Sequence, residues 1–159
     1  MMHNWFTCKI RYEKTMENGM NKKVTEPYLV DALSFTEAES RIIEEMTPFF
    51  QGEFVVAGVA RANYEEIFPS DEECADRWYK CKLWFITLDE KTGVEKRTAS
   101  NVLVQASDLR DAIKKLDEGM KDTLADYVIA SVSETAIMDV YPYEADPDVK
   151  PEFNDADRR

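Results

Sequence analysis

The feature that most constrains the fold of this chain is an internal repeat. A shift of 73 residues places WFTCKI, from Trp5 to Ile10, over WYKCKL, from Trp78 to Leu83. The same shift matches further residues along the chain: Thr25 with Thr98, Val59 with Val132, and Pro69 with Pro142. A match that recurs along a whole unit at nearly constant offset predicts a tandem duplication of one supersecondary unit.

Two strands joined by a hairpin open each copy, because apolar and polar residues alternate there with the period of a half-buried strand. Asn18-Gly19 is a strong hairpin signal, and Lys91-Thr92-Gly93 takes its place in the second copy. Pro27 favours an edge or a bulge, since proline cannot donate a ladder hydrogen bond. We expect the first strands over Trp5–Lys14 and Trp78–Leu88, and the return strands over Lys23–Ala32 and Lys96–Ala106.

A helix and a closing strand complete each copy. Ser34 and Glu37 have capping-box spacing, and either Ser107 or Asp108 can cap the second helix. The closing strands, Phe54–Ala60 and Tyr127–Ser133, are apolar on both faces, which predicts positions in the middle of a sheet. Further stretches follow at Asn63–Phe68 and Ala136–Tyr141, and each is either a bend of that strand or a strand of its own.

This order predicts an α+β fold: a tandem duplication of a β-β-α-β(β) unit, with one antiparallel sheet, both helices packed on one face and a pseudo-twofold between the copies. The first repeat spans residues 4–68 and the second spans 77–144, with an acidic linker at 69–76. Residues 145–159 contain two prolines and five acids, and we expect them to form a disordered acidic tail.

Charge is distributed unevenly along the chain. The net charge is −12, which by itself argues against a nucleic-acid ligand. Residues 65–76, however, carry six acids and no base, whereas residues 4–28 hold five bases and three acids and residues 77–106 hold six and three. The first part of each copy is therefore mildly basic in an acidic protein.

The repeated strand WFTCKI/WYKCKL, the duplicated helix and the closing IMDVYPYE, from Ile137 to Glu144, resemble the family named domain of unknown function 4494. We associate this family with gut Bacteroidetes and their phages. The resemblance covers residues 4 to about 144 and supports the repeat boundaries. It implies no activity and transfers no catalytic residue.

One face of the first strand in each copy combines aromatic and basic residues. If the helices cover the other face, this one is open, with tryptophans outward and Cys8 and Cys81 inward. Aromatic rings that stack bases and lysines that meet phosphates are typical of sheets that hold single-stranded nucleic acid. The candidate binding residues are Trp5, Lys9, Arg11, Trp78, Lys80, Lys82 and Trp84.

Two other interpretations of this face stay open. The tryptophans could pack inside the protein with lysine stems over them, or the face could be a protein-interaction or homodimer interface, where tryptophan and arginine are enriched. The leading hypothesis is a non-enzymatic module that binds single-stranded nucleic acid through this face, with protein interaction or homo-oligomerisation as the alternative.

Nothing in the sequence indicates catalysis, a cofactor or a metal site. Three cysteines and a single histidine, His3, supply neither a disulfide framework nor the spacing of a metal site. No glycine-rich phosphate loop or catalytic serine motif is present. The absence of a signal peptide or a long apolar run predicts a cytoplasmic protein without membrane association.

Overall fold

The computed structural model describes residues 3–143, and the predicted tail at 145–159 lies outside them. The fold is α+β, with two helices and eight strands in the described residues. Both halves of this part of the chain follow the order β-β-α-β-β. The elements are β1 (Trp5–Thr15), β2 (Asn21–Asp31), α1 (Phe35–Met46), β3 (Phe54–Ala62), β4 (Glu66–Phe68), β5 (Arg77–Leu88), β6 (Glu95–Ala106), α2 (Leu109–Met120), β7 (Asp126–Glu134) and β8 (Val140–Tyr141). A short 3-10 turn, Thr47–Phe49, follows α1.

The strands form two four-stranded sheets, in the orders β3-β1-β2-β8 and β4-β6-β5-β7. The prediction of one antiparallel sheet is therefore wrong in its sheet count, and each sheet is mixed. In each sheet the three long strands are antiparallel, while the short outer strand, β8 or β4, runs parallel to its neighbour. The chain divides into two compact units: unit 1 holds the described residues up to Ala62 and those from Asp139 onward, and unit 2 holds Asn63–Met138.

The two short strands belong to different units from the long strands that precede them. β4 follows β3 of unit 1 but pairs with β6 of unit 2, and β8 follows β7 of unit 2 but pairs with β2 of unit 1. The stretches at Asn63–Phe68 and Ala136–Tyr141 are thus not bends of the closing strands. The stretch after β3 forms a separate strand in the unit 2 sheet, and the stretch after β7 forms a separate strand in the unit 1 sheet.

The apolar sequences of the closing strands predicted positions in the middle of a sheet, and this prediction is wrong. Within residues 3–143, β3 pairs only with β1 and β7 only with β5, so both are edge strands. Val55 of β3 and Val128 of β7 are exposed. β1 and β5 occupy the central positions, because each pairs with a strand on both sides.

Local signals in the sequence are confirmed at the hairpins and helix starts. Gly19 and Gly93 have φ angles of 84° and 72°, which favour glycine. Ser34 caps α1 by accepting a hydrogen bond from the Glu37 amide at 3.1 Å, and Asp108 rather than Ser107 caps α2. Pro27 lies on the part of β2 that precedes the β8 pairing, so no described strand requires its missing amide.

Each helix packs on one face of its own sheet. In unit 1, Ala38, Ile42 and Met46 of α1 join Phe6 and Cys8 in the core, together with Ile10, Tyr28, Val30 and Ala32. In unit 2, Leu116 and Met120 of α2 pack with Cys81, Leu83, Val102 and Val104. The prediction that the cysteine side of the first strands faces inward is confirmed, because both thiols are fully buried.

Candidate functional site

The candidate surface is the outer face of each sheet, defined as the face opposite its helix. Side chains alternate along a strand, so the seven candidate residues all lie on this face. In β1 they are Trp5, Lys9 and Arg11, and in β5 they are Trp78, Lys80, Lys82 and Trp84.

Two of the three tryptophans on the outer faces are buried. Trp5 is 7% exposed and Trp78 is 4% exposed, so the prediction that they point into open solvent is wrong. Leu29 and Leu103, which lie on the same faces of β2 and β6, are fully buried as well. Large apolar side chains favour burial, and neither indole is available to stack on a nucleotide base.

Polar contacts also anchor the strands at the two buried tryptophans. The Trp5 indole stacks on the His3 ring with the centroids 5.3 Å apart. The buried Asp31, paired with Trp5 across β1 and β2, binds the His3 imidazole and accepts from the Asn4 amide at 3.0 Å. At Trp78 the carbonyl oxygen accepts from both the amide and the hydroxyl of Thr135, each at 2.9 Å.

The remaining part of the unit 2 outer face is accessible. Lys80 is exposed, whereas Lys82 and Trp84 are half-buried, with the Lys82 ammonium 4.7 Å from the centroid of the Trp84 ring. This distance is within the range of a cation–π contact. The paired positions on the edge strand β7 are Ser131 and Val128, both exposed. We name the surface formed by Lys80, Lys82, Trp84, Val128 and Ser131 the Trp84 patch.

Positive charge declines toward the hairpin end of the Trp84 patch. Arg97 and Asp126 both lie opposite Ile86, one on β6 and the other on β7. The Arg97 guanidinium also pairs with the Glu95 carboxylate at 3.3 Å. The excess positive charge of this face is therefore carried by Lys80 and Lys82.

The outer face of unit 1 offers charge without an accessible indole. Lys9 and Arg11 are exposed, and Arg11 occupies the position that matches Trp84 in the 73-residue alignment. Arg11 and Lys23 line a depression of about 620 Å³ together with Glu13 and Glu53, so its charges are mixed.

The buried cysteines are poor nucleophiles and poor metal ligands. Burial raises the pKa of the Cys8 and Cys81 thiols to about 11, with Glu39 adding to the effect at Cys8. In residues 3–143 no group of three or more histidine, cysteine, aspartate or glutamate side chains is placed to hold a metal ion.

A polar cluster that sequence reasoning missed surrounds Lys115 in unit 2. Its ammonium contacts the carboxylates of Glu72 at 2.5 Å and Asp111 at 2.9 Å, and the Ser70 hydroxyl at 3.2 Å. The spacing of Asp111 and Lys115 signals an i,i+4 pair. The contacts to Ser70 and Glu72 span more than 40 residues and leave no such local signal.

The electrostatics of this cluster indicate a structural role. Burial lowers the pKa of Lys115, but its hydrogen bonds to Glu72 and Asp111 outweigh burial and raise the pKa overall. The Ser107 amide, aided by Lys115, lowers the pKa of Asp111 to about 2. Contacts with two carboxylates favour the charged form of Lys115, which is a poor acceptor for the Ser70 proton. The cluster attaches the predicted linker segment 69–76 to α2.

The match to a known family covers nearly all of the residues that the structure describes. The family model described as domain of unknown function (DUF4494) matches residues 4–143. The chain belongs to this family. No curated protein matches the chain. No helix within residues 3–143 is long and apolar enough to cross a membrane.

Proposed function

We propose that this DUF4494 protein is a non-enzymatic, cytoplasmic binding module that holds single-stranded nucleic acid through the Trp84 patch of unit 2. The observation that carries the proposal is the pairing of the Lys82 ammonium with the Trp84 ring beside the exposed Lys80. An aromatic ring next to two cations has the chemistry to receive a base and its flanking phosphates.

The proposed site is smaller than the full set of candidate residues. Trp5 and Trp78 are buried and take no part in it. Lys9 and Arg11 are exposed on unit 1, and we propose that they add electrostatic contacts without stacking. One stacking ring contributes roughly 1–3 kcal/mol, so we expect weak, salt-dependent binding with little sequence preference.

Salt dependence of binding to a fluorescent oligothymidylate tests the electrostatic part of the proposal. The double variant Lys80→Gln/Lys82→Gln removes two phosphate contacts, which should reduce the slope of log K against log salt by about 1.4. A matched control, Lys91→Gln/Lys96→Gln, removes two exposed charges outside the patch and should leave the slope unchanged. Absence of binding at low salt, or equal slopes for the two double variants, would refute the proposal.

The second candidate function is protein interaction or homodimerisation through the same face. It is favoured by the edge strand β7, which pairs on one side only within the described residues and exposes Val128 of the patch. Measuring molar mass against concentration separates the two functions. A dimer that Val128→Lys disrupts and nucleic acid does not affect would favour this second function.

We also infer that the two halves of the chain arose by duplication. Supporting features recur at an offset of 73 residues: the register shift after Lys9 and after Lys82, and the buried Cys8 and Cys81. The left-handed glycines of the two hairpins, Gly19 and Gly93, recur at an offset of 74. The pseudo-twofold between the copies and an origin in gut Bacteroidetes or their phages stay predictions.

A further inference from the structure

The sheet of unit 1 is completed by a segment that lies more than 100 residues beyond the strand it joins. β8 pairs with β2 through Leu29 with Val140 and Val30 with Tyr141. The Leu29 amide also donates to the Asp139 carbonyl oxygen at 3.0 Å. Because this segment is remote along the chain, its position depends on the contacts it makes with unit 1.

Those contacts involve both backbone and side chains of residues 139–143, which we name the DVYPY segment. Tyr141 packs against the unit 1 core and stacks on Tyr28 with the ring centroids 6.2 Å apart. One Arg41 nitrogen donates to the Pro142 carbonyl oxygen at 3.1 Å, and the guanidinium lies 5.0 Å from the Tyr143 ring centroid. The Tyr143 hydroxyl donates to the Glu37 carboxylate at 2.9 Å.

Together these groups form an acceptor site for an extended peptide. Tyr28, Leu29 and Val30 supply the strand edge and an aromatic contact, while Glu37 and Arg41 of α1 bind the Pro-Tyr end. Backbone pairing at a sheet edge combined with side-chain contacts is how proteins recognise peptides by strand addition. β4 adds to the unit 2 sheet in the same parallel manner, so this chain completes both of its sheets with remote segments.

We propose that this acceptor site also takes the DVYPY segment of a second copy, so that two chains can exchange their β8 strands. The same sequence makes the same contacts whichever chain supplies it, and exchange of identical elements is a low-cost route to a dimer. The tethered segment has an effective concentration of roughly millimolar. The closed monomer therefore dominates in dilute solution, and exchange requires high protein concentration or a weakened internal segment.

A peptide supplied in trans tests the acceptor site in the full chain. Tyr141→Asp places a carboxylate beside Tyr28 and weakens only the donor segment. A fluorescent peptide of residues 137–143, Ile-Met-Asp-Val-Tyr-Pro-Tyr, should bind this variant saturably and bind the wild type at least about tenfold more weakly, since the wild-type segment competes.

Two matched controls define specificity in this experiment. Adding Arg41→Ala to the Tyr141→Asp chain should weaken peptide binding, because the Pro142 and Tyr143 contacts are lost. A peptide with aspartate in place of its first tyrosine should not bind. A folded Tyr141→Asp protein, verified by circular dichroism, that fails to bind the native peptide would overturn the proposal. If that variant does not fold, Tyr143→Ala provides the same test with a milder change.

Mixing two full-length chains identifies the occupant. Wild-type chains that carry different affinity tags are incubated together at high concentration, covalently cross-linked at that concentration, and then diluted and purified on one tag. Co-purification of the second chain that excess native peptide prevents would support strand exchange. Peptide binding without any co-purification would refute the second copy as the partner and leave an acceptor for another protein.

Discussion

The ring of Phe68 occupies the space into which a side chain at Gly119 would project, with three ring carbons 2.9 Å from the position of a Cβ atom there. Gly119 lies in the last turn of α2, and Phe68 belongs to β4, which joins the unit 2 sheet next to β6. Contact between this ring and the helix backbone is thus part of how the remote strand is held.

Gly119→Ala should destabilise the protein, although the same change at an ordinary helix position stabilises by roughly 0.5–1 kcal/mol. The added methyl group must displace a ring that packs against the unit 2 core, and overpacking typically costs roughly 1–3 kcal/mol. We expect a net loss of about 1 kcal/mol in the free energy of unfolding, measured with urea.

A double-mutant cycle isolates this contact. In a Phe68→Leu background the same glycine substitution should be neutral or stabilising, because the ring is absent. Glu118→Ala, at the preceding exposed helix position, controls for helix propensity. Equal effects of Gly119→Ala with and without the Phe68 ring would contradict the packing described here.

Trp78 and Trp84 differ in burial, so replacing each with alanine should change the stability of the protein by different amounts. Trp78→Ala should lower the free energy of unfolding by roughly 3–5 kcal/mol, the usual cost of deleting a buried large aromatic side chain. Trp84→Ala should cost much less, because this ring is only half-buried. Equilibrium denaturation of both variants makes the comparison, and equal losses would be inconsistent with the different burial of the two rings.

Asp111 makes stability depend on pH in the acidic range. Its pKa is lowered to about 2 in the folded protein, against about 3.9 for an unperturbed aspartate. A lowered folded-state pKa contributes stability that is present above the unfolded value and is lost as pH falls through the folded value. Asp111→Asn should therefore flatten the decline in stability between about pH 4 and about pH 2. Urea unfolding at a series of pH values tests this, and an unchanged slope would contradict it.

The three thiols should react at different rates with an alkylating reagent. Cys74 is exposed, whereas Cys8 and Cys81 are buried with their pKa values raised to about 11. Because the thiolate is the reactive form, only Cys74 should react rapidly in the native protein, and all three should react in denaturant. Intact-protein mass spectrometry counts the modified thiols. Rapid modification of two or three thiols in the native protein would contradict the burial of Cys8 and Cys81.

Features set by neighbouring residues could be predicted from the sequence. The glycines at 19 and 93, the Ser34 cap and the inward Cys8 and Cys81 all depend on local conformation or on alternation along one strand. The edge behaviour of β2 at Pro27 was predictable for the same reason, since proline lacks the amide that a second neighbour would require.

Features set by pairing between remote segments could not be predicted. The edge positions of β3 and β7 depend on strand order, which their apolar sequences do not encode. Within one chain, β4 pairs with β6 and β8 pairs with β2. These pairings are accompanied by contacts such as Phe68 with Gly119 and Tyr141 with Tyr28, between residues far apart in the chain. Burial of Trp5 and Trp78 was missed because alternation assigns a face to a side chain but does not tell whether that face is covered.

The most direct test of the proposed function is the affinity of Trp84 variants for a fluorescent single-stranded oligonucleotide at low salt. Trp84→Ala removes the stacking surface and should weaken binding about tenfold, whereas Trp84→Phe keeps an aromatic ring and should retain most of the affinity. Wild-type affinity in the Trp84→Ala variant, or no binding by the wild type, would contradict a nucleic-acid site at the Trp84 patch.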